Sequence, residues 1–322
     1  MSTTPAPPDA GGAGNGNGND SSAGPAVERG LIHDLGYGAY SGPRSGPWTR
    51  TWIIAREVFR VGWKNPWLRR CMWMSFMVVA VWGVIIFIQG QNQGIAQLEQ
   101  AKAFLPKKDT YVMWAVTRSL VFIGVLAGAI VGAGAVSDDL RAGAFQFYFA
   151  RPLRPQQYVV GKLLGVVMAI GLVVAVPAVG LAAVRVVMET HVEVMVRALG
   201  VIPRTLALAG VVTLALAALA VLMSSLTPRK IYAQASYTLL LFISFAIALP
   251  LAKVSNNVKL RVISLRDAVE GLGYGLFQKW TFDRTWAPPW QTSLIMLLCV
   301  FGGASLALLW RIRRVELSSL GT

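Results

Sequence analysis

The sequence predicts an all-α integral membrane protein. It has six transmembrane helices, an N-terminal amphipathic interfacial helix before them, and both termini on the cytoplasmic side. Three observations predict this. Hydrophobic residues make up 55% of the 322-residue chain and mean hydropathy is +0.54, above the roughly 45–50% apolar content of a soluble domain. The excess is gathered into runs of about 18–25 residues, the length a helix needs to cross the hydrocarbon core. In lipid such a run must satisfy its own backbone, which makes it helical. Lys and Arg then cluster at the ends of these runs, as they do beside membrane spans.

Residues 1–28 are mostly Gly, Asn, Pro, Ala and Ser, with almost no charge and no apolar stretch. Residues 1–46 therefore read as a disordered, low-complexity cytoplasmic tail and lead. Without an apolar core the tail is not a cleavable signal peptide, so the first span serves as an uncleaved targeting signal. Residues 47–322 form the membrane domain. Its first element is a helix over 47–66. On a helical wheel Arg50, Arg56, Glu57, Arg60 and Lys64 share one arc, and Trp52, Ile54, Val58, Phe59, Val61 and Trp63 share the other. That is a basic amphipathic helix suited to lying in the inner interface.

The expected spans cover about 72–89, 112–136, 159–184, 206–226, 231–251 and 292–310. Only Thr227, Pro228, Arg229 and Lys230 separate the fourth from the fifth, so these two pack as a hairpin. Pro177 predicts a kink in the third. The segment 253–289 mixes apolar and charged residues and clusters Gly271, Gly273 and Gly275. It is too polar to span, and reads as an interfacial helix or a short re-entrant pair.

Orientation follows from the tight basic clusters. Arg56, Arg60, Lys64, Arg69 and Arg70 precede the first span. Arg141, Arg151, Arg154 and Lys162 lie between the second and third. Arg229 and Lys230 follow the fourth, and Arg311, Arg313 and Arg314 close the sixth. All fall on one side, which is assigned to the cytoplasm.

The net charge of +15, from 30 Lys and Arg against 15 Asp and Glu, would suggest nucleic acid in a soluble protein. Here the positive residues flank hydrophobic runs, so no nucleic-acid partner is expected. Cys71 and Cys299 lack metal-ligand spacing. His33 and His191 are lone histidines on opposite sides, and Glu189 and Glu193 read as a solvated helix face. Gly161-Lys162 is followed by Leu163 with no glycine-rich loop before it, so it is not a phosphate cradle. No catalytic, cofactor-binding or metal site is expected, and the chain is not read as an enzyme. Within the spans Arg118 stands out, either snorkelling outward or serving a function. Gly124, Gly128 and Gly132 repeat at four-residue spacing in the second span, a stripe that lets helices approach closely.

The stretch Ser137-Asp138-Asp139-Leu140-Arg141-Ala142-Gly143-Ala144-Phe145-Gln146-Phe147-Tyr148-Phe149-Ala150-Arg151-Pro152-Leu153-Arg154, continuing to Gly161-Lys162-Leu163, is the most informative. It resembles the loop between the second and third spans of permeases of the type-two ABC exporter family. That loop reads as acidic, basic and small residues, a short helix, Arg-Pro, and Gly-Lys-Leu entering the next span. Ala144 stands where the family often has Thr. Tyr40-Ser41-Gly42-Pro43-Arg44 and Trp310-Arg311-Ile312-Arg313-Arg314 resemble the ends of bacterial members. The resemblance implies a permease in a bacterial inner membrane, working as a pair of six-span subunits with a separate ATP-binding subunit. The second permease copy is identical or related, and the moved substrate is not implied. The loop would be the coupling helix that docks on the ATPase through Asp138, Asp139, Arg141, Phe145, Phe147, Arg151 and Arg154, with the aromatics exposed as anchors. The alternative is a non-transporting membrane scaffold or assembly subunit.

Overall fold

The computed structural model describes residues 46–91, 108–145, 153–189, 192–277 and 287–320. Among them the secondary structure is entirely helical. Helix α1 spans Pro47–Lys64 and α2 spans Pro66–Gln91. Asn65 breaks the two apart: its ψ of 120° is the extended backbone that a residue before proline prefers, and its side-chain Oδ1 accepts from the Trp67 N–H at 3.0 Å. Helix α3 runs from Lys108 to Arg141. Its α-helical parts, Lys108–Trp114, Val121–Ala127 and Ala133–Arg141, are joined by π-helical turns at Ala115–Leu120 and Gly128–Gly132. Then follow α4 (Pro155–Val187), a short α5 (Val192–Ala198), α6 (Val201–Leu226) and α7 (Lys230–Val254). A 3-10 turn, Val258–Ile263, leads into α8 (Leu265–Phe277), and α9 covers Trp290–Leu320.

Six helices are long and apolar enough to cross a membrane: Pro66–Ile88, Asp109–Arg141, Pro155–Val187, Val192–Leu226, Lys230–Val254 and Trp290–Arg314. Five of them contain an expected span whole; the first ends at Ile88, one residue short of the expected end, and the fourth starts fourteen residues early because it takes in α5. Helix α4 runs unbroken through the buried Pro177. As expected, α6 and α7 pack on each other across their short turn.

The spans are not equivalent. Between half and three-fifths of the apolar window of α3, α4 and α6 is buried, but only 17–22% of that of α2, α7 and α9. Helices α3, α4 and α6 are thus the packed centre, and the other three form its margin. The glycine stripe lies within this centre. A Cβ on Gly124 would stand 2.7 Å from Val174 of α4, and one on Gly128 2.7 Å from the Tyr237 hydroxyl of α7. On Gly132 it would collide with Ala220 of α6. Ser224 of α6 ties the helices further: its hydroxyl accepts from the Val136 and Ser137 N–H groups at 3.0 and 2.9 Å and donates to the Ala133 carbonyl at 2.7 Å. That side chain serves backbone groups just beyond the second π-helical turn of α3.

Helix α1 forms where the wheel placed it, and a third face emerges. Thr51, Ala55, Val58 and Gly62 are buried, and α1 lies against the first turns of α4. Added Cβ atoms at Gly161 and Gly165 of α4 would stand 2.9 Å from the Thr51 carbonyl and 2.6 Å from the Ala55 carbonyl. Backbone cannot retreat as a flexible side chain can, so both positions require glycine for this crossing.

The described part of the segment after α7 is a short helical turn followed by a helix that packs on the bundle. Helix α8 is buried along most of its length, packing against α9 and the start of α3. Gly273 faces Met113 and Thr117 of α3, and Gly275 faces Trp290 of α9. These small residues allow a partly charged helix to sit inside the bundle end.

Candidate functional site: the root of the loop joining α3 and α4

The loop stretch singled out in the sequence starts from the last turn of α3. Gly143, with φ of +63°, ends that helix in the left-handed conformation typical of a helix stop. The Ala144 N–H reaches back to the Asp139 carbonyl at 3.0 Å. On the return side Arg154 is extended, Pro155 opens α4, and the Arg154 N–H donates to Gln157 Oε1 at 3.3 Å.

The two sides meet at a fixed polar cluster. Asp139 Oδ2 lies 2.6 Å from Lys162 Nζ and accepts from the Tyr158 hydroxyl at 2.7 Å. The Lys162 ammonium also stands 5.4 Å from the Tyr158 ring centroid. The Asp139 and Lys162 side chains are 16% and 10% exposed, and Tyr158 is fully buried. Tyr158 and Lys162 are four residues apart and so share one face of α4. The same carboxylate therefore ties the end of one central span to the start of the next.

Of the loop residues expected to dock a partner, Asp138, Arg141 and Arg154 are exposed. Asp139 is turned inward into the cluster. Phe145 departs from expectation: it is an internal packing residue, 5% exposed, lying edge-on to Tyr158 with ring centroids 5.4 Å apart. The chain reversal at Gly143 brings it back over α4, where burial of a phenyl ring stabilises by about 1.5–3 kcal/mol. Phe147 and Arg151 lie outside the described residues. Sequence reading passed over Tyr158 and Lys162 as members of the cluster. The available signal was an acidic residue ending one span and a lysine a turn inside the next.

At the opposite end of the bundle, Arg118 has a partner that the sequence concealed. Its Nη2 lies 3.0 Å from Glu270 Oε1 on α8, and its guanidinium is 4.8 Å from the Trp114 ring centroid. Burial, and then the neighbouring Glu270 carboxylate, push the Tyr274 phenol up. Nearby Arg185 pairs with Asp109 at 3.1 Å and with Glu189, and Arg261 with Asp267 at 3.0 Å. Glu189 is thus an ion-pair partner of α4 rather than a solvated face. These contacts fasten α8 to α3 and the end of α4 to the start of α3, and among the described residues no group of His, Cys, Asp or Glu could hold a metal ion.

A family model described as "ABC-2 family transporter protein" matches residues 52–280, from within α1 to just past α8. No curated protein matches the chain.

Proposed function

The chain belongs to the ABC-2 family of transporter proteins, and from that premise we propose that it is the permease of an exporter driven by ATP hydrolysed on a separate subunit. Membership makes it a membrane-embedded permease component of an ABC transporter. The partner ATPase docks on the loop between α3 and α4, and its motion is passed to the spans. The observation that carries this reading is the Asp139–Lys162–Tyr158 cluster. It joins α3 and α4 at the loop root, so a push on the loop displaces two central helices together with little slack. The exposed Asp138, Arg141 and Arg154 set docking orientation, and Phe145 stiffens the loop from within. A second permease copy, the same or related, covers part of the margin formed by α2, α7 and α9.

Capture of the full chain from its native membrane tests this. The chain is expected to retain a protein that carries a Walker sequence, identified by mass spectrometry. The double reversal Arg141→Glu, Arg154→Glu should weaken retention at least about tenfold, near 1.4 kcal/mol. Arg204→Glu, exposed at the start of α6, should not. Capture without any ATP-binding protein, from membranes in which the chain is folded, would leave the scaffold alternative in place.

In this reading the loop end faces the cytoplasm of a bacterial cell, with both termini on that side. Cys71 is buried and Cys299 exposed, so both are removed before single cysteines are placed at Ser255 and Ser319. In intact cells an impermeant thiol reagent should label Ser255→Cys and spare Ser319→Cys. The opposite pattern inverts the topology.

A further inference from the structure

Beside the cluster, α1 and the loop ends of α3, α4 and α7 enclose a pocket of about 330 Å³. Its walls change character along its length. Toward the middle of the spans they are apolar, lined by Ile130 and Val131 of α3, with Val131 against Gly62 of α1. Toward the loop end they are charged, with Glu57, Asp138 and Lys230 added to the Asp139–Lys162 pair. Ile130 and Asp138 are eight residues apart, roughly 12 Å along a helix. The pocket therefore has a polar end at the membrane surface and an apolar end in the membrane, which is the polarity of a lipid.

The charges at the polar end are mixed and partly free. Asp139 and Lys162 satisfy each other at 2.6 Å. Asp138 and Lys230 do not form a pair, although both converge on Gly134. The point a Cβ would occupy there is 2.9 Å from Asp138 Oδ2 and 3.4 Å from Lys230 Nζ. Glu57 pairs with Arg60 at 4.0 Å, both largely exposed. Among the described residues Asp138 and Lys230 thus stand open at the mouth on either side of Gly134, with Glu57 beside them held by a long surface pair.

We propose that this pocket binds the head group of a zwitterionic aminophospholipid. Lys230 takes the phosphate, and Asp138 with Glu57 takes the ammonium. The volume lies at the lower end of ligand pockets, about 300–1,000 Å³, which suits a head group and glycerol but not two acyl chains. The chains run out past Ile53 and Val61, both more than half exposed. An anionic lipid lacking an amine would set its phosphate beside Asp138 and Glu57, with no ammonium of its own to offset them. On net charge alone a +15 chain would favour anionic lipid, so the pocket and the overall charge predict opposite preferences.

The test uses the purified, delipidated full chain without any ATP-binding subunit, so its outcome is independent of the coupling reading. The chain is offered equal amounts of phosphatidylethanolamine and phosphatidylglycerol with identical acyl chains, and retained lipid is counted by native mass spectrometry. One tightly held phosphatidylethanolamine is expected, preferred by about tenfold or more. Gly134→Leu, which fills the pocket, should abolish this retention. Asp138→Asn, isosteric and exposed, should leave the fold unchanged and bring the ratio close to unity. Lys230→Gln should reduce retention of both lipids. Equal retention by the wild type, a preference for phosphatidylglycerol, or a preference untouched by Asp138→Asn overturns the proposal.

Discussion

Asp139→Asn is expected to destabilise the protein by about 3–5 kcal/mol, the cost of stranding one member of a buried ion pair. The stranded group is Lys162, whose side chain is 10% exposed and pairs with no other carboxylate among the described residues. Lys162→Met strands Asp139 in turn, which keeps only the Tyr158 hydroxyl at 2.7 Å. The double variant Asp139→Asn, Lys162→Met should recover most of the loss, because replacing both charges removes the desolvation penalty along with the attraction. Thermal unfolding in detergent reads the stability cycle. Function separates from stability in the double variant: it should fold yet transmit loop motion poorly, with ATP hydrolysis no longer matched to transport. A double variant that is stable and fully coupled would show the cluster to be structural only.

Arg118→Met should be more damaging than Glu270→Gln, by about 2 kcal/mol or more, because burial of this pair is unequal. The Glu270 side chain is 4% exposed and that of Arg118 is 43% exposed. Removing the arginine leaves an enclosed carboxylate without its counter-charge, and breaking a buried pair in this way costs about 3–5 kcal/mol. Removing the carboxylate leaves a guanidinium that keeps its stacking on Trp114 and can reach polar surroundings through its exposed half. The readout is the yield and unfolding temperature of the two single variants, with Arg118→Met, Glu270→Gln combined. Equal losses for the two single variants would mean that Arg118 is as desolvated as its partner, and snorkelling would then contribute nothing.

Much of the fold was legible because the bilayer imposes it. The six apolar runs become helices since no other single-segment structure satisfies its backbone in lipid, and each lies within one of the six long apolar helices. The amphipathic α1 was legible from charge periodicity. The glycine stripe was visible as spacing, but its partners were not, since Gly124, Gly128 and Gly132 meet three different helices. The candidate site was legible only in outline. Asp138, Asp139, Arg141 and Arg154 were read as docking charges of the loop; three of them are exposed, and Asp139 is turned inward onto Lys162. Phe145 was misread because an aromatic run in a loop carries no sign of which ring folds inward. That was decided by the reversal at Gly143 and by the presence of Tyr158 beneath it.

The sequence by itself determined that this chain crosses a membrane, how often, and which loop resembles a docking element. Those features depend on composition and local periodicity, which each segment carries alone. Only the tertiary structure decided which helices form the centre, that α1 crosses α4 at Gly161 and Gly165, and that α8 packs against α9 and the start of α3. It also decided which charges are paired. Asp139 and Lys162 are separated by 23 residues, and Arg118 and Glu270 by 152. An ion pair forms by proximity in space, and no property of either residue or its neighbours in the chain specifies a partner that packing brings to it from elsewhere.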